Sequence, residues 1–352
     1  MAAGLLTRGQ LRSRYRRIYR DVYVPRDHEV CLRDRVVGAA FTSADAVIAG
    51  VAASAMHGAR WVDDDVPVEL IATVRRQRGL IVRRETLHDD EIMTIAGIRV
   101  TTPARTVFDL GRHLSTKRAV ERIDALMKAC PVALEDVALI ANRHAGARGM
   151  RQLRVALSLA DAGAESPPET RLRLLFINAG LPRPTTRFVV YDESGQYVRR
   201  IDMCWEQFKV GAEYDGEQHL TSRRQYVLDV QVNRVLHRLG WHVIHVIKED
   251  RGEDIVAQVH AALVSRGWPP GRRKQRHGCL PAARATTALI SRRFWTHALQ
   301  QVRVGELGRG HRNPPHHEHQ RAQKAVHRIL EIPPHRRLHP RQAGRHGAVV
   351  HV

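Results

Sequence analysis

The chain is short of the features that staple or anchor a protein. It has four cysteines in 352 residues, Cys31, Cys130, Cys204 and Cys279, and no pair has CxxC spacing. That excludes a zinc knuckle and a dense disulfide framework, and a reduced, cytoplasmic compartment is expected. No stretch of about 18 apolar residues occurs, so no membrane-spanning helix is expected. The opening Met1–Arg8 has too short an apolar run for a secretory signal. Aromatic residues are scarce at 5%.

Acidic charge is also in short supply, and its deficit is uneven. The formal net charge is +21, but residues 271–352 hold 17 Lys and Arg against 3 acids. The remaining 270 residues carry 40 basic and 33 acidic groups, only mildly basic. The C-terminal segment has no Asp or Tyr and holds 11 of the 21 histidines. It shows no apolar period, so residues 269–352 are expected to be a disordered Arg/His/Pro-rich tail. Two origins stand side by side: a basic tail that binds nucleic acid without sequence preference, and a GC-rich gene read in a foreign frame after about Trp268.

What is present falls into three stretches. In residues 1–110, Tyr15–Pro25 alternates basic, aromatic and apolar residues and predicts a strand or hairpin. Ser43–His57 is Ala-rich and predicts a helix closed by Gly58. Val66–Val74 and Leu80–Arg84 read as strands joined by a turn at Arg75–Gly79, and Pro103 opens a helix that breaks near Gly111. Residues 111–164 read as a helical connector, with helices near 115–130, 133–143 and 149–161. In 165–268, Ser166 caps a helix opened by Pro167 and Pro168. Strands follow at Phe188–Tyr191, Gln196–Trp205 and Lys209–Tyr214, then a helix at 222–239, a strand at His242–Val246 and a last helix at 254–266. The fold class expected is α/β (α+β), with a mixed sheet flanked by helices in the C-terminal domain.

The chemistry concentrates in that last domain. Asp202 ends an Arg-Arg-Ile-Asp segment, and Glu213 lies near the end of the next strand. Alternation along a strand gives Glu213 and Asp215 one direction and Tyr214 the other. Three converging carboxylates repel unless a cation sits between them. Oxygen ligands with room for water suit magnesium or manganese, which also organise attack on a phosphodiester. His219 follows shortly after.

The ordered set Ser166-Pro-Pro-Glu169, Arg200-Ile-Asp202, Glu213-Tyr-Asp-Gly216 with His219, Asp229, Arg234 and Gly240-Trp241 resembles a family of bacterial domains related to the very-short-patch-repair endonuclease, within the PD-(D/E)XK nuclease superfamily. The resemblance covers about residues 165–268. It implies a restriction-endonuclease-like fold, Asp202 and Glu213 as ligands of Mg (or Mn), and Glu169 on a helix facing the site. Asp215 stands where the superfamily usually has lysine, so His219 is the candidate for assisting the water, and Arg234 for a phosphate contact. A second resemblance covers the first 110 residues. Arg16–Pro25, Ser54-Ala-Met-His-Gly58 and Thr101–Asp109 are similar to the N-terminal part of proteins related to the AbiEi antitoxins. That implies a winged-helix-like DNA-binding unit with Tyr15, Arg16 and Arg17 on its wing; the chain begins so close to the wing that either the DNA-reading helix is absent or the true start lies upstream.

Two functions follow. One is a metal-dependent DNA endonuclease of the very-short-patch-repair-like type. The alternative is a non-catalytic, DNA-binding regulator of antitoxin type whose nuclease-like domain serves binding or self-association. DNA is the expected partner in both, with no membrane; a cognate toxin belongs to the second.

Overall fold

The computed structural model describes residues 7–216, 223–269 and 350–351. His219 and nearly all of the expected tail lie outside them. Among the described residues there are ten α-helices and three sheets, so the fold is α/β, the class expected. No helix among them is long and apolar enough to cross a membrane. The chain divides into two compact units. One comprises residues 1–109, 132–144 and 292–352, and the other residues 110–131 and 145–291.

The first unit opens with helix α1 (Arg8–Arg14), whose capping box pairs Thr7 with Gln10. Strands β1 (Tyr15–Tyr19) and β2 (Val22–Pro25) form the antiparallel hairpin that the alternating pattern predicts. The short strand β12 (Val350–His351) pairs along β2. Helix α2 (Leu32–Ala40) follows.

Two local expectations fail in this unit, each for a visible reason. The Ala-rich stretch 43–57 is not one helix: it holds strand β3 (Val47–Ala49) and then helix α3 (Gly50–Met56). The β-branched Val47 and Ile48 are buried between strands, and Gly50 at φ +57° makes the corner. Strands β4 (Val68–Ile71) and β5 (Leu80–Arg83) pair in parallel, so Arg75–Gly79 is not a hairpin turn. The segment between them runs back along the sheet, with Val68 N–H donating to Gly79 O at 2.9 Å. Strands β6 (Ile92–Ile95) and β7 (Ile98–Thr101) complete a five-stranded sheet in the order β5-β4-β3-β7-β6. Its core is Ile48, Val68, Leu70 and Val100 against Val36, Ala52 and Ala53 of the helices.

Helix α4 (Pro103–His113) runs through Gly111 without the expected break. Next come α5 (Thr116–Ala129), α6 (Leu134–Arg143) and α7 (Met150–Leu159). Gly149 sits at the N-terminus of α7 with φ +92°.

In the second unit, α8 (Pro167–Asn178) begins at Ser166, whose hydroxyl accepts from the Glu169 N–H. Strands β8 (Thr185–Tyr191), β9 (Tyr197–Trp205) and β10 (Val210–Tyr214) form an antiparallel meander. Helix α9 (Arg223–Arg238) then crosses over to β11 (His242–Val246), which pairs in parallel with β10, and α10 (Gly252–Ser265) closes the unit. The sheet order is β11-β10-β9-β8. One core joins Phe176 of α8 and Val259 and Leu263 of α10 to Met203, Ala212 and Ile244. The other joins Leu236 of α9 to Val190, Ile201 and Trp241. The β8–β9 register is irregular near Val190 and Tyr191, and Arg187 sits at φ +54°.

Candidate functional site

Strand register builds the site. Antiparallel pairing sets Val210 opposite Trp205 and Ala212 opposite Met203; one more step brings Glu213 opposite Asp202. Parallel pairing sets Glu213 beside His245. Side chains from one row of adjacent strands are neighbours, so register alone sets Asp202, Glu213 and His245 in one row across β9, β10 and β11.

The side chains divide the expected trio. Glu213 is buried, and Arg199 grips it with both arms: Nε donates to Oε1 at 2.8 Å and Nη2 to Oε2 at 2.6 Å. The third arm of Arg199, Nη1, donates to Asp229 Oδ1 of α9 at 3.1 Å. Asp215 Oδ2 lies 3.0 Å from His245 Nδ1, and Glu213 Oε2 lies 3.9 Å from the same nitrogen. Glu213, Asp215 and His245 thus offer ligand atoms within 4.8 Å of one another. Asp202 stands apart from that group: its Oδ2 accepts the Tyr214 N–H at 3.0 Å.

Burial raises the Glu213 carboxyl above its ordinary range, and Arg199 offsets only part of this. Asp202 is raised by burial too, against the Tyr214 N–H. His245 is raised by its hydrogen bond to Asp215, against its burial. Two carboxylates and an imidazole form a mixed oxygen and nitrogen donor set, which fits manganese better than magnesium with its preference for oxygen alone.

The other expected residues scatter. Glu169 sits in the first turn of α8, accepting from Glu165 N–H and Ser166 Oγ, both at 2.8 Å; burial raises its pKa, and Asp202 adds to the rise. Arg234 is exposed on α9. Arg16 and Arg17 are exposed on β1 and Tyr15 is partly covered; Arg16 Nη2 donates to His28 O at 2.6 Å. Arg12, Arg14, Arg20 and Arg26 are exposed around the same hairpin.

The first unit holds a second charge cluster with a buried centre. Arg105, 0% exposed, donates from Nε to Asp109 Oδ2 at 3.1 Å, from Nη1 to Glu91 Oε2 at 2.5 Å and from Nη2 to Glu85 Oε2 at 2.8 Å. Arg143 and His144 of the α6 region close on the other oxygen of Glu91, each at 2.9 Å. Burial works against the Arg105 charge, yet Asp109 and Glu91 outweigh it and hold its pKa above the ordinary value. Thr101–Asp109, the segment that carried the second resemblance, supplies the centre of this cluster.

Comparison with known proteins supports an AbiEi relationship but places it later in the chain than the expected 1–110, in a C-terminal rather than an N-terminal domain, with the β1–β2 hairpin outside the matched residues. Residues 39–159 match the AbiEi antitoxin C-terminal domain family. The AbiEi-like segment therefore contains β3 to α7 and the whole Arg105 cluster. Two uncharacterized proteins of Mycobacterium tuberculosis, from strains CDC 1551 / Oshkosh and ATCC 25618 / H37Rv, are each 27% identical over 172 residues. The alignment covers 49% of this chain and 62% of theirs. No solved structure matches. The resemblance to the very-short-patch-repair nucleases finds no support in these matches.

Sequence reasoning missed Arg199 and His245 and named Asp229 without giving it a partner. Strand parity was the available signal: His245 alternates with Ile244 and Val246, both buried, so its side chain leaves by the other face.

Proposed function

We propose that the protein is a DNA-binding regulator of antitoxin type. The observation that carries this reading is the AbiEi match, reinforced by six exposed arginines on α1 and the β1–β2 hairpin. A hairpin bearing Arg16 and Arg17 is suited to phosphate contact, which positions a protein on DNA, while base contacts set specificity. In this reading the AbiEi-like segment is the frame of the hairpin and the surface offered to a cognate toxin. Fluorescence anisotropy with DNA from upstream of the protein's own gene, beside a shuffled duplex, tests it. Tighter binding to the upstream DNA, weakened in the Arg16→Ala/Arg17→Ala chain, is expected; equal binding to both duplexes sinks the reading.

A second reading, a metal-dependent DNA endonuclease, is favoured by the closeness of Glu213 and Asp215 at one strand seam, with Asp202 on the neighbouring strand β9. A divalent cation bound there supplies Lewis acidity and lowers the pKa of a water. Asp202, Glu213 and Asp215 would hold it, Glu169 would add negative charge behind Asp202, and His219 would move the proton. Plasmid nicking in magnesium or manganese, absent with chelator and in Asp202→Ala and Glu213→Ala, is the expected result. Cleavage that survives both substitutions would count against it.

A further inference from the structure

We infer that the cleft between the β1–β2 turn and the loop joining β4 to β5 is a phosphate-binding site, and that the phosphate it takes belongs to the DNA backbone. The inference rests on the DNA-binding reading and deepens it. To α1 and the hairpin it adds a contact from within the AbiEi-like segment.

The first support is shape and charge together. The cleft holds about 490 Å³, and its lining includes Arg20 and Asp21 of the turn and Arg75, Arg76 and Gln77 of the loop. Asp21, the one acid in the lining, is engaged by Arg20, with Oδ2 3.5 Å from Nε. Arg75 and Arg76 are exposed, and among the described residues neither has a hydrogen bond or an ion pair. Like charges gathered in a cleft focus a positive potential on its mouth, and the guanidinium fork matches phosphate oxygens.

The second support is that both walls are held before any ligand arrives. Tyr19 and Val22, which flank the turn, and Ala72 and Leu80, which flank the loop, are buried in one hydrophobic cluster. At the surface, the Arg20 N–H donates to Gln77 Oε1 at 2.7 Å. Turn and loop are thus tied at the core and again at the rim, and a preformed site loses less freedom on binding.

Position favours DNA as the source of the phosphate. Arg20 directly continues β1, whose Arg16 and Arg17 are exposed, so a backbone lying along the hairpin is led to the turn. A small phosphorylated molecule would need polar groups to recognise the rest of it. The Thr42 and Ser43 hydroxyls of the lining are spent elsewhere: Thr42 Oγ1 donates to Ala39 O at 2.6 Å, and Ser43 Oγ donates to Asp45.

The test is the salt dependence of binding by the full chain to upstream and shuffled duplexes, read by fluorescence anisotropy. Arg75→Ala/Arg76→Ala should lower the slope of log affinity against log salt by about 2. It should weaken both duplexes by the same factor, since a phosphate contact carries no sequence information. Its urea midpoint should match the wild type, because both side chains are exposed. Arg75→Lys/Arg76→Lys should keep the slope by keeping the charge. An unchanged slope in the alanine variant would overturn the inference. Calorimetry with inorganic pyrophosphate separates the sources. Saturable binding that the alanine variant loses, with its DNA slope unchanged, would give the cleft to a small phosphorylated ligand and overturn the DNA assignment. Equal binding of both duplexes by the wild type would sink the regulator reading, while the slope lost with Arg75 and Arg76 would still establish the contact.

Discussion

Arg105 shows how a single buried charge can commit a domain. Its guanidinium is sealed from solvent, and the acids around it, Asp109 and Glu91, are sealed as well. Removing one member of such a cluster leaves the others uncompensated in low dielectric. Arg105→Ala is therefore expected to cost about 3–5 kcal/mol, seen as a lower urea midpoint. An unchanged midpoint would mean that water already reaches the acids. His57 carries a different consequence. It is buried and its Nε2 lies 2.8 Å from Thr101 O, so the ring donates there. Burial lowers its pKa below 6.5, against the hydrogen bond. A depressed folded pKa means that the unfolded chain takes the proton first. His57 thus contributes stability fully above about pH 6.5, and that stability is lost as pH falls from there through the folded value. The wild-type midpoint should drop more between pH 7 and 5 than that of His57→Gln, whose amide can still donate to Thr101.

At the scale of elements, α7 depends on one backbone angle. An added Cβ on Gly149 would stand 2.5 Å from Arg112 O, at φ +92°. Neither backbone atom can swing aside, so Gly149→Ala is expected to lower stability by at least ~1 kcal/mol, checked by thermal melting. Elements of this kind were legible in the sequence where a local signal was strong. Pro167 and Pro168 after Ser166 marked the start of α8, and the Tyr15–Pro25 alternation marked the hairpin. Legibility failed where tertiary burial decided the conformation. Ala46–Ala53 has helical composition, but its first half is buried between β4 and β7 and becomes strand β3. The site followed the same division. Asp202, Glu213 and Asp215 were visible as residues, since strand parity is local. Which of them would gather was set by α9 and β11, thirty residues further on, and no spacing rule reports where Arg199 turns.

Over the whole molecule, the charge is lopsided, with most of the net +21 lying after residue 270. Non-specific DNA affinity falls with salt in proportion to the number of phosphates neutralised. A chain ending at residue 269 should therefore show a much shallower salt dependence on shuffled DNA than the full chain, while its preference for upstream DNA over shuffled DNA persists. Equal slopes would show that the C-terminal segment makes no phosphate contacts. Arg16→Ala/Arg17→Ala in the shortened chain should reduce the remaining slope by about 2.

The outer strand of the second unit has a consequence for how copies of the chain meet. An edge strand presents unpaired N–H and C=O groups on which another molecule can build. Among the described residues β8 occupies such an edge, yet Arg187 at φ +54° and the slipped register near Tyr191 interrupt it as a flat template. A second chain laid alongside would find its ladder interrupted at both places. Interrupted edges of this kind are poor templates for strand addition, and Tyr191, 57% exposed, stands at one of the interruptions.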